Sequence, residues 1–104
     1  MKSTMGKYEV MLYPKAYRDI DEIYSYIAFE KQSPENARGQ TERIWDAILG
    51  LDTMPSSHQD RQEGKYANNG YKQLLIDNYL AIFKIDEVAK KVYVLTIQYQ
   101  GRNI

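Results

Sequence analysis

Three runs of strand-forming residues, separated by very short links, make up the last third of this 104-residue chain. β-branched, aromatic and other apolar residues are concentrated over residues 71–76, 79–85 and 91–99, and we predict a strand at each. The links are Asp77-Asn78 and residues 86–90, and both contain turn-forming residues. Because parallel strands need a connection of about a dozen residues, links this short predict an antiparallel meander. The middle run is apolar on both faces, so we expect it to be the most buried.

The first half of the chain predicts one short strand followed by two helices. The strand is expected near residues 7–13, where the sequence is apolar and β-prone. Apolar residues then recur at helical spacing over residues 14–31. A second helix is expected to begin at Ser33, whose side chain suits a cap, with Pro34 in the first helical position, and to stop near Gly50. The two helices are almost adjacent in sequence, which predicts an antiparallel hairpin.

The element order is therefore β-α-α-β-β-β, within a single domain over residues 1–104. Helices grouped after one strand and before three favour an α+β two-layer sandwich, with the helical hairpin packed on a four-stranded, antiparallel-rich sheet. Residues 55–70 form a long polar stretch with turn residues and no periodicity. Such a loop is either functional or a simple connection, and the sequence leaves both interpretations open.

Composition excludes several kinds of chemistry. The chain has no Cys, which rules out disulfides, thiolate nucleophiles and Cys-based zinc sites, and its single His is His58. We expect no metal and no cofactor. Fourteen basic and fourteen acidic residues give no net charge, so any contact with nucleic acid must come from a local patch. No apolar run approaches about 20 residues, and the polar N-terminus leads into no apolar segment. We therefore expect no membrane association and a cytoplasmic protein.

Four groups of short motifs occur in a fixed order between residues 8 and 103. They are Tyr13-Pro14 with Ala16, Asp19-Ile20 and Glu22-Ile23; Ile27 with Pro34 and Ala37; Leu51 to Pro55; and Gly70 to Leu74 with Asn78-Tyr79, Val92 to Leu95, Tyr99 and Arg102-Asn103. In this order and spacing the chain resembles the RelE/ParE superfamily, the toxins of bacterial type II toxin–antitoxin systems of the plasmid-stabilisation type. The resemblance implies the same α+β fold and a cognate antitoxin protein as partner.

The resemblance implies one leading activity and two alternatives. The leading hypothesis is a metal-independent, ribosome-dependent mRNA endoribonuclease (an mRNA interferase) that inhibits translation by cutting mRNA in the ribosomal A site. In such a reaction the 2′-hydroxyl of the RNA attacks the adjacent phosphate, while protein groups move protons and stabilise negative charge. The first alternative is a ParE-like toxin that inhibits DNA gyrase without catalysis. The second is a degenerate homologue that only binds antitoxin.

The same resemblance suggests where an active site lies. The candidate catalytic residues are Lys72, Tyr99 and Arg102, and the candidate substrate-binding residues are Arg61 and Lys65. The cations would hold phosphate, and Tyr99 would stack on a base or take part in proton transfer. Each also has a structural interpretation, with Tyr99 covering the core and the charged residues solvated.

Two strand positions and the C-terminus depart from the family pattern. At the C-terminus the common Tyr-Gly-Arg-Arg is replaced by Tyr99-Gln100-Gly101-Arg102, which keeps one basic residue. Lys72 and Thr96 stand where family members usually carry Arg. Lys72 keeps the charge but loses the planar, bidentate guanidinium, and Thr96 loses the charge entirely. These departures are the reason for considering a degenerate homologue. On the last strand, the face that carries Thr96 becomes polar towards the C-terminus, so we expect a site or solvent there.

Overall fold

The computed structural model describes residues 7–100 and contains two α-helices packed on one face of a four-stranded sheet. The elements are β1 (Glu9–Leu12), α1 (Pro14–Ser25), α2 (Pro34–Leu49), β2 (Lys72–Ile76), β3 (Tyr79–Asp86) and β4 (Lys91–Tyr99). The predicted α+β class and element order are confirmed. The predicted strands agree with the observed ones to within two residues at each end.

The sheet has the order β1-β4-β3-β2. Strands β2, β3 and β4 form the antiparallel meander that the short links predict. Strand β1 lies parallel to β4 at the edge, but it pairs only with the first part of β4, from Glu9 opposite Lys91 to Leu12 opposite Val94. The remainder of β4 therefore continues past the end of β1, and α1 begins beside it.

The core lies between the helical hairpin and the sheet. Phe83, Val92 and Val94 are fully buried on the sheet side, and Ile44 and Ile48 of α2 are fully buried on the helix side. Five successive residues of β3 are buried, from Tyr79 to Phe83, which confirms that the middle strand is the most buried. Apolar burial of this kind is the main favourable contribution to the stability of the fold.

The sequence predicts one continuous helix over residues 14–31, but the structure has an α-helix followed by a π-helical turn in this range. The α-helical part ends at Ser25, and Tyr26–Glu30 form one π-helical turn. In this turn the backbone N–H of Lys31 donates to the carbonyl of Tyr26, five residues back, at 3.1 Å. Gln32 then has a φ of 55°, which ends the helix and redirects the chain into α2.

The start of α2 also differs from the prediction, because it lacks a side-chain cap. Pro34 occupies the first turn as expected, but the side chain of Ser33 makes no capping hydrogen bond. Its backbone is at φ −138° and ψ 78°, and its carbonyl accepts the N–H of Ala37 at 3.0 Å. The expectation of a side-chain cap at Ser33 is therefore wrong, and Pro34 alone marks the start of this helix.

Replacing Ser33 by Ala is accordingly expected to change the free energy of unfolding by less than about 0.5 kcal/mol, because no hydrogen bond to the helix is lost. A capping Ser would lose about 1 kcal/mol on the same substitution. Urea unfolding of the two proteins measures the difference. A loss of about 1 kcal/mol would show that the Ser33 hydroxyl does cap the helix in solution.

The long loop between α2 and β2 is tied to the edge of the sheet. It contains short 3₁₀ turns at Pro55–Ser57 and Gly64–Tyr66. Between them, Asp60 forms an isolated antiparallel bridge with Lys72. The N–H of Gln73 donates to the carbonyl of Gln59 at 2.9 Å, and the N–H of Arg61 donates to the carbonyl of Tyr71 at 2.8 Å. The loop thus continues the sheet for a short distance beyond β2, and its ordered contacts argue against a merely floppy connection.

Candidate functional site

Lys72, the first candidate catalytic residue, begins β2 and is held by the long loop. It lies opposite Phe83, so its side chain leaves the sheet on the face that carries the helices. Its ammonium group donates to a carboxylate oxygen of Asp60 at 2.7 Å and to the carbonyl of His58 at 3.0 Å. The Lys72 charge is therefore paired within the chain, and its contacts fasten the loop to the sheet.

Tyr99, the second candidate, lies at the opposite end of the sheet from Lys72. Tyr99 is opposite Tyr79, which in turn is opposite Ile76, the last residue of β2. Ile76 is four residues from Lys72, or about 13 Å along the strand, and Tyr99 is two strands farther across. The structure therefore does not bring these two side chains together. The third candidate, Arg102, lies outside the described residues.

The two candidate substrate-binding residues lie on the long loop. The guanidinium of Arg61 donates to the side chain of Gln73 at 2.8 Å and to the carbonyl of Glu63 at 3.0 Å. Gln73 is adjacent to Lys72 in the strand, and adjacent strand residues point to opposite faces. Arg61 therefore reaches the face of the sheet that is turned away from the helices. The Lys65 ammonium lies 5.4 Å from the centre of the Tyr66 ring.

This second face of the sheet gathers aromatic rings and cations that the sequence analysis did not group. The Lys84 ammonium lies 5.6 Å from the Tyr71 ring centre, and Tyr71 makes an edge contact with Tyr66 at 5.1 Å. Tyr93, opposite Lys84, makes an edge contact with Tyr13 at 6.1 Å. Lys84 follows Phe83 in β3, so the alternation of side chains along a strand predicts that the two residues point to different faces of the sheet. The contact of Lys84 with Tyr71 depends on strand register, which the sequence does not reveal.

Thr96 contradicts the expectation that β4 becomes polar and accessible on the face that carries it. Thr96 is only 1% exposed, and its hydroxyl donates to the carboxylate of Asp19 in α1. The backbone N–H of Ile97 donates to the same carboxylate at 3.0 Å, and Lys15 forms an ion pair with it at 2.9 Å. Asp19 therefore holds α1 to the part of β4 that extends past β1. Thr96 is a structural residue in this chain.

The contacts of Asp19 also decide its ionisation. Burial by itself would raise the pKa of the Asp19 carboxyl. Hydrogen bonds from Thr96, from Lys15 and from the Ile97 N–H stabilise the ionised form and together outweigh burial. The pKa of Asp19 is therefore lowered below its usual value of 3.8. Asp19 belongs to the motif "Asp19-Ile20 and Glu22-Ile23", and its two partners on β4 lie 77 and 78 residues away in the chain.

The described part of the chain holds neither a metal-binding cluster nor a helix that could span a membrane. Among residues 7–100, no three His, Asp or Glu side chains come close enough together to hold a metal ion. No helix in the same range is long and apolar enough to cross a membrane.

Comparison with solved structures shows the same fold in several toxin–antitoxin complexes. The chromosomal ParDE system from P. aeruginosa matches with a TM-score of 0.71 at 21% identity, covering 89% of this chain and 96% of that one. The RelBE2 complex from Mycobacterium tuberculosis matches with 0.65 at 17% identity, covering 97% and 100%. The archaeal RelE–RelB complex from Pyrococcus horikoshii OT3 matches with 0.61 at 12% identity, covering 93% and 99%.

Sequence comparison supplies the family. No curated protein matches the sequence significantly. The family described as the ParE toxin of the type II toxin–antitoxin system parDE matches residues 10–104, which is nearly the whole chain. This match and the two-layer fold agree with the motifs that resemble the RelE/ParE superfamily. The chain is therefore a member of the ParE toxin family of type II toxin–antitoxin systems, within the RelE/ParE superfamily.

Proposed function

We propose that this toxin arrests growth in the cytoplasm by binding DNA gyrase without catalysis, and that a cognate antitoxin neutralises it. The observation that carries the proposal is the arrangement of Lys72 and Tyr99. Lys72 is paired with Asp60, and Tyr99 lies at the other end of the sheet. Acid–base catalysis of RNA cleavage needs the catalytic side chains around the same phosphate, within hydrogen-bond distance of the atoms that react.

The buried contact between Thr96 and Asp19 supports the same proposal. A family member with Arg at this position has a cation available for phosphate, whereas Thr96 uses its hydroxyl to hold α1. Positions 72 and 96 are associated with the active site by the resemblance. In this chain, Lys72 and Thr96 both make contacts that hold parts of the fold together. A toxin that acts by occupying a protein surface needs no such catalytic groups.

Ribosome-dependent mRNA cleavage is the second candidate, and one observation favours it. The face of the sheet turned away from the helices carries Arg61 and Lys84 beside Tyr71 and Tyr93. Aromatic rings interleaved with cations suit single-stranded RNA, whose bases stack while its phosphates are neutralised. On this interpretation Arg61 and Lys65 bind the message, and Lys72, Tyr99 and Arg102 keep the catalytic roles assigned by resemblance.

Two assays with the purified protein distinguish these functions. The first measures supercoiling by DNA gyrase, and the second maps new 5′ ends on a defined message in a reconstituted translation reaction. We expect inhibition of supercoiling, no new 5′ ends, and inhibition by Lys72→Ala within about twofold of wild type. Lys7→Ala is the matched control, because Lys7 is an exposed lysine far from every candidate residue in sequence.

The alternative outcomes are equally specific. Cuts at A-site codons that disappear in Lys72→Ala or Arg102→Ala, but persist in Lys7→Ala, would overturn the gyrase proposal and establish the nuclease. If a folded protein affects neither gyrase nor translation, the chain is a degenerate homologue that only binds antitoxin.

A further inference from the structure

Asn69 and Gly70 form an Asn-Gly pair in the last turn of the long loop, shortly before β2 begins. Both residues are exposed, and Gly70 has a φ of 84°, in the region that favours glycine. A Cβ placed at Gly70 would have no neighbour within 4 Å. Among residues 7–100, no backbone hydrogen bond has the Gly70 N–H as its donor. The Gly70 nitrogen is therefore not held by the hydrogen bonds that order the rest of the loop.

An asparagine followed by glycine can react with its own backbone. The Gly70 nitrogen attacks the side-chain carbonyl carbon of Asn69 and loses its proton to solvent. As this C–N bond forms, the bond from the same carbon to the side-chain nitrogen breaks, and that nitrogen takes up a proton and leaves as ammonia. Water then opens the cyclic imide at either carbonyl group, which gives aspartate or isoaspartate. Glycine is the most favourable residue after the asparagine, because it has no side chain to obstruct the attack and adopts conformations closed to other residues.

Two other exposed asparagines lack this combination of features. Asn36 lies in the first turn of α2, where the N–H of the next residue, Ala37, donates a hydrogen bond at 3.0 Å. Asn78 is followed by Tyr79, a large, buried residue at the start of β3. Asn36 and Asn78 therefore serve as internal references for the reactivity of Asn69.

Asn69 lies near a cation that forms no ion pair within the described part of the chain. Asn69 and Lys84 line the same open depression, of about 550 Å³, together with Asp86 and Glu87. The Lys84 side chain is exposed, and its ammonium lies 5.6 Å from the centre of the Tyr71 ring rather than against a carboxylate. A carboxylate at position 69 would attract Lys84, since opposite charges at a surface interact favourably, though weakly.

We propose that Asn69-Gly70 is a site of spontaneous deamidation, and that the carboxylate it produces pairs with Lys84. The reaction lowers the net charge of the chain by one and reduces the positive charge on the aromatic and cationic face of the sheet as the protein ages. The isoaspartate product also lengthens the backbone just before Tyr71, whose carbonyl accepts the N–H of Arg61 at 2.8 Å, so it loosens the loop from the sheet. The chemistry is the same whether the toxin acts on gyrase or on mRNA.

Peptide mapping by mass spectrometry tests the deamidation. The full chain is incubated at mildly alkaline pH, either native or unfolded in guanidinium chloride, and each deamidated peptide gains about 1 Da because OH replaces NH₂. We expect Asn69 of the native chain to react at least about tenfold faster than Asn36 or Asn78, and within about threefold of its rate in the unfolded chain. The gain should disappear in Asn69→Gln and persist in the matched control Asn78→Gln. An Asn69 that reacts only in the unfolded chain, or no faster than Asn78, would overturn the proposal.

Labelling of lysines with a limiting amount of acetic anhydride tests the pairing with Lys84. Wild type is compared with Asn69→Asp, which supplies the carboxylate at once, and with Asn78→Asp, which has the same net charge. We expect acetylation of Lys84 to fall about twofold or more in Asn69→Asp alone, because an ammonium in an ion pair is less available to the reagent, and acetylation of Lys7 to stay unchanged. Thermal unfolding verifies that each variant is folded. Equal labelling of Lys84 in the three proteins would show that the new carboxylate does not pair with it. Neither experiment requires toxicity, so failure of the proposed function would leave both outcomes unchanged.

Discussion

Replacing Asp19 by Ala is expected to lower the free energy of unfolding by about 3 kcal/mol. The substitution leaves the buried Thr96 hydroxyl and the Ile97 N–H without their acceptor, and each unsatisfied buried group costs about 1–3 kcal/mol. Urea unfolding monitored by circular dichroism measures the loss. Asp21→Ala, an exposed carboxylate on the same helix, is the matched control and should change stability by less than about 0.5 kcal/mol.

The same carboxylate should make stability depend on pH in a defined direction. The pKa of Asp19 is lowered in the folded state, so the unfolded chain takes up a proton first as the pH falls. Its stabilisation is complete above about pH 5 and is lost progressively as the pH falls below the ordinary value of 3.8 towards the lowered one. In Asp19→Asn this contribution is absent, so the stability difference between wild type and variant should shrink as the pH falls. A difference that stays constant from pH 6 to pH 3 would contradict the lowered pKa.

Replacing Phe83 by Ala is expected to cost about 4 kcal/mol, which is the typical cost of truncating a buried Phe. Phe83 is fully buried in the middle strand and lies opposite Val94 on one side and Lys72 on the other. Its ring also makes an edge contact with His58 at 6.0 Å, which connects the core to the long loop. Since small domains are stable by only about 5–15 kcal/mol, the variant should be close to unfolding at 37 °C.

Val88→Ala provides the contrast for Phe83→Ala. Val88 is 96% exposed in the turn between β3 and β4, so its truncation should leave the unfolding midpoint nearly unchanged. Limited proteolysis adds a second measurement, because the loss of the contact with His58 should increase cleavage between residues 55 and 70 in the Phe83 variant. Equal stability of the two variants would mean that Phe83 is not part of the cooperative core.

The candidate site was only partly predictable from the sequence. The resemblance pointed to positions 72, 96 and 99, but it could not reveal that Asp60 pairs with Lys72 or that Thr96 is buried against Asp19. Both contacts depend on how the long loop and α1 meet the sheet. The catalytic and substrate-binding roles assigned to Lys72, Tyr99, Arg102, Arg61 and Lys65 stay predictions, and the Lys72→Ala and Arg102→Ala variants test two of them.

The sequence by itself determined the elements and most of their order in space. Turn residues at Asp77-Asn78, links too short for parallel strands, and apolar residues at helical spacing are local signals, and they specify the meander and the helical hairpin. Local signals also predicted a side-chain cap at Ser33 that the structure lacks, and a continuous helix where Tyr26–Glu30 form a π turn.

Only the tertiary structure decided that β1 lies parallel to β4 and ends at Leu12, opposite Val94. Because this edge strand is short, the Ile97 N–H faces α1 and donates a hydrogen bond to the carboxylate of Asp19, which is 78 residues away in the sequence. The packing of the helical hairpin on this end of the sheet places Tyr99, Tyr26 and Glu22 around one groove, although Tyr99 lies more than 70 positions from the other two. Such pairings arise from the packing of complete elements against each other, so they leave no periodic signal in the sequence from which they could be read.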